Sequence, residues 1–267
     1  MLGFVRSSNL ISMVAAAGFV AAPVHAAPQR VVSMNLCTDQ LVMMLAKPGQ
    51  IASVSALAQD PAMSPMAEKA KAIPPNFGRA EEIYLMNPDL VIAGQYTSGP
   101  ATDMLRRLGI RVEVLPPADN VASIRDQITR IGDLLENPSA ATALIARFDA
   151  GLQARAHKNQ GRAALYHANG LTSGRDTLAG EIVALAGYDN IAEEFGVTGY
   201  GLLPMELLVM AQPDLLITGA KWPGYSRSEA ILDHPALRHL SPRTTEVSDA
   251  TWVCGTPYIL DAIGSLE

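Results

Sequence analysis

Two cysteines, Cys37 and Cys254, are the residues best suited by type to covalent or metal chemistry in this 267-residue chain. Three readings fit them: a disulfide, a pair of small cleft-lining thiols, or soft ligands touching a metal centre. A disulfide would require their Cα atoms to come within about 7 Å of each other. The histidines His157, His167, His234 and His239 form neither HExxH nor HxH, and His234 and His239 do not share a helical face. They read as ordinary loop or surface residues, with His167 kept as a candidate contact, and sites for free zinc or manganese lose support accordingly. Ser, His and Asp occur without a G-x-S-x-G elbow, no G-x-G-x-x-G follows a strand, and there is no P-loop. A formal net charge of −6, with no basic run longer than Arg106-Arg107, argues against nucleic acid as a partner.

The elements that must position these residues fall into an ordered series. Residues 1–26 read as a secretory signal peptide: Arg6, an uncharged stretch from Leu10 to Val24, and a Val24-His25-Ala26 cleavage site. That stretch is shorter than the roughly 20 residues a membrane span needs. The mature protein is therefore expected to be exported, to a Gram-negative periplasm. Charged residues make up 17% of the chain against the usual ~25% for soluble domains, and the apolar leader accounts for part of the difference.

Beyond the leader, short β-rich runs alternate with helical ones, as in α/β proteins with parallel sheets. Strands are expected at 30–34, 89–93, 111–115 and 163–166, and helices at 38–46 and 104–108. From Val121 to His157 the chain is helix-forming, broken at Asn137-Pro138, where Pro suits the first turn of a new helix. A helix over 139–157 would run near 30 Å at about 1.5 Å per residue.

An internal repeat organises the rest. Glu81-Glu82-Ile83-Tyr84-Leu85-Met86-Asn87-Pro88-Asp89-Leu90-Val91-Ile92-Ala93-Gly94 recurs 125 residues later as Glu206-Leu207-Leu208-Val209-Met210-Ala211-Gln212-Pro213-Asp214-Leu215-Leu216-Ile217-Thr218-Gly219. Each copy reads as a short helix, a Pro-Asp corner and a buried strand. The expected organisation is a 27–136 lobe, a bridging helix over 137–160 and a 161–267 lobe, with a cleft between the lobes. Ligands of α/β sheets bind beyond the carboxyl ends of the strands. That rule selects the loops carrying Cys37, Tyr96, His167, Lys221-Trp222 with Tyr225, and Trp252-Val253-Cys254. Aromatic rings there suit a flat or apolar chelate. With one Cys in each expected lobe, a permanent disulfide would join the two.

These residues resemble the class III periplasmic substrate-binding proteins of ABC importers, in the iron–siderophore and cobalamin group. The resemblance rests on Arg30-Val31-Val32-Ser33, the Glu81 corner, Thr172-Ser173-Gly174 followed by Gly187-Tyr188-Asp189-Asn190-Ile191, and the Glu206 corner. It implies two Rossmann-like α/β lobes joined by one long backbone helix, with an iron chelate or corrinoid held between them. It adds Tyr200 as a cleft aromatic. It implies that Glu81 and Glu206 dock on arginines of an inner-membrane permease, which works with a cytoplasmic ATPase. Glu82, Glu193 and Glu194 lack such duplication and read as solvated. Corrinoid-binding relatives tend to carry an aromatic straight after the first Asp-Leu-Val-Ile-Ala strand; Gly94 departs from this and leaves Tyr96 as the nearest ring. A monomer with no intrinsic cofactor and no catalysis is the expected form. Free metal or haem is the alternative cargo, and a metallocluster-enzyme-like α/β subunit the alternative class, though such a subunit would need more cysteines.

Overall fold

The computed structural model describes residues 27–155, 159–221, 224, 226–240 and 243–267. The expected signal peptide, His157, Trp222 and Tyr225 lie outside the described residues.

In chain order the strands are β1 (Val31–Ser33), β2 (Ile51–Ser55), β3 (Pro75–Asn76), β4 (Leu90–Gly94), β5 (Val112–Leu115), β6 (Gly161–Leu165), β7 (Leu171–Ser173), β8 (Tyr188–Asn190), β9 (Tyr200–Leu202), β10 (Leu215–Gly219) and β11 (Arg243–Val247). The helices are α1 (Leu36–Leu45), α2 (Ala67–Ala70), α3 (Ala80–Leu85), α4 (Gly99–Arg107), α5 (Val121–Leu134), α6 (Pro138–Ala154), α7 (Leu178–Leu185), α8 (Met205–Ala211), α9 (Pro235–Arg238), α10 (Asp249–Trp252) and α11 (Ile259–Gly264).

Two parallel sheets result, ordered β3-β2-β1-β4-β5 and β11-β10-β6-β8, with β7 and β9 forming a small antiparallel pair. The sheets share a plan. The strand after each Pro-Asp corner, β4 or β10, pairs with the first strand of its own sheet, β1 or β6. On its other side it pairs with the strand that follows it, β5 or β11.

The repeat is duplicated down to its hydrogen bonds. Asn87 and Gln212 both take the left-handed conformation, φ 47° in each case. The Asp89 carboxylate accepts from the backbone N–H groups of Gln29 and Arg30, at 2.6 and 3.0 Å, and Asp214 accepts from that of Arg162 at 2.7 Å. The Arg30 guanidinium donates to the Met86 and Asn87 carbonyls, and the Arg162 guanidinium to the Ala211 carbonyl. Each cation thus caps the carbonyl end of α3 or α8, where the helix dipole favours positive charge.

The first helix begins two residues before its expected start. The Asn35 side chain accepts from the Cys37 N–H at 3.0 Å and serves as its N-cap. α4 likewise extends the expected 104–108 helix back to Gly99. Two helices fill the interval between the sheets. α5 is opened by a reciprocal Asn120–Ser123 capping box, and α6 carries Pro138 in its first turn.

Leu41, Val42 and Leu45 of α1, Ile124, Ile128 and Ile131 of α5, Leu144 and Phe148 of α6, and Ile182 of α7 belong to one apolar cluster. That cluster also takes in residues from both sheets and α11, so the two halves share a core. The chain end reaches back across it. Tyr258 packs against a cluster containing Met43 and Val54, and the Thr256 hydroxyl donates to the buried Gln40 amide oxygen at 2.9 Å.

Candidate functional site

The carboxyl ends of the strands converge on a trough between the sheets. At its centre is a cavity of about 270 Å3, walled by Asn35, Cys37, Tyr96 and Asp119 from the first half and by Tyr200 and Val253 from the second. Two hollows continue it. One of about 540 Å3 shares Asn35 and Tyr96 and extends to Leu57 and Phe77. The other, of about 590 Å3, shares Leu178, Tyr200 and Val253 and extends to His167, Asp249 and Trp252.

The walls are apolar surface left open to water. Tyr96 is 82% exposed, Tyr200 77% and Phe77 70%, while Leu57, Leu171 and Val253 are each about half exposed. Such surface is costly unless something covers it. Gly94 ends the buried β4 strand without a ring, and the local geometry explains it. A Cβ built there would lie 2.9 Å from the Asn35 Cγ, so a side chain would displace the cap of α1. The ring is supplied by Tyr96, two residues on.

The described walls of the trough carry carboxylates. Asp119 lines the central cavity, and Asp249 and Glu229 lie at the second-half end. Among the described residues, no Lys or Arg lines these hollows. The Tyr200 phenol is held above its ordinary value, first by partial desolvation and then by Asp119 and Tyr96 beside it. His167 is shifted down, because burial disfavours the imidazolium more than nearby Asp249 favours it. At neutral pH it is therefore a neutral ring with an available lone pair.

The three readings of the cysteines reduce to one. Cys37 and Cys254 form a disulfide with their Cα atoms 5.1 Å apart, so neither offers a free thiolate to a metal. Cys37 remains part of the cavity wall. Trp252 is mostly buried in the shared core and edges the trough without standing open in it. His234 and His239 are exposed, and His234 caps α9. Glu193 and Glu194 are not simply solvated, since they pair with Arg175 and Arg162. Glu82 also has a structural partner, accepting from the Phe77 N–H at 3.0 Å and so fixing the loop that carries this ring.

Phe77 itself escapes a reading of the sequence. It follows β3, a two-residue strand too short to show periodicity, although the rule of strand ends would select it once that strand is known. Asp119, after the Pro116-Pro117 turn that ends β5, is missed as well, although its strand is expected from the sequence and the same rule would select its loop. Among the described residues no group of three or more His, Cys, Asp or Glu could hold a metal ion, and no helix is long and apolar enough to cross a membrane.

Comparison with known proteins accords with this architecture. A cobalamin-binding protein of Halobacterium salinarum is 28% identical over 202 residues, which cover 72% of this chain and 54% of that protein. The chain thus spans about half the length of the curated relatives it matches. The periplasmic heme-binding protein RhuT of Roseiflexus sp. RS-1 superposes with a TM-score of 0.71 at 21% identity, covering 89% of this chain and 97% of that one. The heme-binding protein HutB of Vibrio cholerae gives 0.73 at 19% identity, covering 88% and 96%. The family described as periplasmic binding protein matches residues 31–242, and the chain, with its two parallel sheets facing one cleft, belongs to that family in its class III form.

Proposed function

We infer that this protein is the periplasmic solute-binding component of an ABC importer and that its cargo is a compact metal chelate with little or no negative charge. A corrinoid or a ferric hydroxamate fits that description. The observation that carries this reading is the trough itself, lined by the rings of Phe77, Tyr96 and Tyr200, with carboxylates and no Lys or Arg among its described walls. Rings pack against the faces of a bulky chelate. An anionic cargo such as a ferric catecholate, or haem with its two carboxylates, would bury negative charge beside Asp119 and Asp249 without a counter-ion, which is unfavourable. Among the described residues no three His, Cys, Asp or Glu side chains converge, which fits a metal that arrives already coordinated better than a free ion. The cobalamin-binding relative supports the corrinoid arm of this reading.

In this reading the monomer, released from its signal peptide at residue 26, closes modestly on the chelate. It then delivers the chelate to an inner-membrane permease that is driven by a cytoplasmic ATPase. Glu81 and Glu206, exposed on matching helices, give the encounter its orientation and rate.

The test is a titration of tryptophan fluorescence with cyanocobalamin, a ferric hydroxamate, a ferric catecholate and haemin. Saturable quenching by cyanocobalamin or the hydroxamate, with the catecholate and haemin weaker, is the expected result. Preference for the catecholate or haemin would overturn the charge argument.

A further inference from the structure

The duplicated corner repeats more than its glutamate. Burial follows one pattern along both copies. Glu81 and Glu206 are exposed, Ile83 and Leu208 are buried, and the next two residues are exposed again. Those next residues are large and apolar, Tyr84 and Leu85 in α3 and Val209 and Met210 in α8. Leu85 and Met210 are both 77% exposed, among the most open apolar side chains in the structure.

A single exposed leucine needs no explanation. The same exposure at positions 125 residues apart, in two helices whose only identical residue is the glutamate, is a different observation. Residues three and four apart share a helix face, so each glutamate stands one turn from its apolar pair, on the same outward side. Helices α3 and α8 each run back along the sheet before β4 or β10 begins, which puts the glutamate at the cleft end and the pair farther down the shoulder. Among the described residues neither Glu81 nor Glu206 has a salt-bridge partner.

We propose that Tyr84-Leu85 and Val209-Met210 are the apolar centres of two equivalent docking patches for the permease, each with its glutamate at the rim. This rests on the importer reading above and deepens it. A surface presented twice fits a partner with two equivalent halves. Each half would offer a cation for the carboxylate and an apolar recess one helical turn away. The division of labour follows from interface physics. Charged rims govern encounter rate and its salt dependence, whereas a desolvated apolar centre governs how long the complex lasts.

The experiment uses fluorescently labelled mature protein, loaded with cyanocobalamin, and inner-membrane vesicles from the producing bacterium. Wild-type protein should bind saturably, and trypsin treatment of the vesicles should abolish binding. The Leu85→Gln/Met210→Gln variant should dissociate about tenfold faster, the equivalent of ~1.4 kcal/mol. Its salt dependence and its cyanocobalamin affinity should be unchanged. The milder Tyr84→Ser/Val209→Ser pair should move in the same direction. The Glu81→Lys/Glu206→Lys variant should instead associate more slowly and lose the salt dependence.

If the glutamine variant binds like wild type while the lysine variant fails, the apolar patches are wrong and the docking reading stands. If neither variant is weakened, or wild-type protein shows no saturable binding, both fall. Trypsin-insensitive binding would assign the patches to lipid. Self-association of the wild type that the glutamine variant loses in sedimentation would assign them to a second copy. Either result overturns the proposal.

Discussion

Cys37, in the first turn of α1 and in the wall of the central cavity, is bonded to Cys254, which lies 217 residues away just after α10, and the bond joins the two halves. Around it further contacts join the halves. The Glu181 carboxylate accepts from the Val121 N–H at 3.1 Å, the Thr256 hydroxyl reaches Gln40, and Gly255 rests on Ala118. A disulfide of this span is expected in an oxidising compartment.

Removing this bond should cost stability without dismantling the fold. The Cys37→Ser/Cys254→Ser variant is expected to lose about 2–5 kcal/mol, because the unfolded chain regains the freedom of a long loop. Urea denaturation would show this as a lower midpoint. Dithiothreitol should reproduce the shift in wild-type protein and leave the serine variant where it was.

Gly255 is a point of close approach between the halves. A Cβ there would lie 2.4 Å from the Ala118 Cβ and 2.6 Å from the Ala118 carbonyl oxygen. Gly255→Ala should therefore destabilise by about 1–3 kcal/mol through overpacking. Adding Ala118→Gly should recover part of that loss by relieving the Cβ contact, though not the contact with the carbonyl. Thermal melts of the two single variants and the double variant would test the coupling.

Tyr96 and Tyr200, from opposite halves, both line the central cavity and lie close enough to act on each other electrostatically. Truncating either to Ala should weaken cyanocobalamin binding by roughly tenfold or more, as for other well-placed aromatic anchors. Tyr→Phe at either position should stay near wild type if the ring face makes the contact. The stability of all four variants should change by about 0.5 kcal/mol or less, since both side chains are open to solvent. A tyrosine-to-alanine variant that binds as tightly as wild type would remove that ring from the site.

Asp39 links pH to stability. It is fully buried in α1 and accepts from the Ser55 N–H and hydroxyl, yet burial raises its carboxyl from 3.8 to about 7. The folded state therefore holds a proton that the unfolded chain releases near pH 4. Stability from this group is full below that value and declines as pH rises towards about 7. Each unit of such a shift is worth about 1.4 kcal/mol. Asp39→Asn should flatten the fall in stability over this range. His167 acts in the opposite sense, since its lowered value makes the folded state resist protonation and favours stability as pH rises towards its ordinary 6.5. Urea midpoints from pH 4 to 8 for wild type, Asp39→Asn and His167→Gln would separate the two slopes.

Much of this protein is legible in its sequence because the signals are local. The Glu–Pro–Asp repeat fixes a helix, a corner and a buried strand in each half, since apolar runs and Pro-Asp turns act over a few residues. The same repeat foretells the shared plan of the two sheets, and the rule of strand ends finds Tyr96 and His167.

What remained for the tertiary structure was whatever depends on chain segments far apart. Spacing along the sequence says nothing about whether Cys37 and Cys254 approach, because a 5.1 Å separation across 217 residues is set by how the halves pack. Phe77 enters the trough through a two-residue strand that leaves no pattern, held there by Glu82. Gly94 is explained by Asn35, which becomes the cap of α1 only because the helix starts at Leu36, ahead of its expected first residue. The sign of the trough's charge likewise emerges only when Asp119, from one half, and Asp249, from the other, come to line one continuous surface. Local preferences determine which elements form, and long-range packing determines which side chains meet.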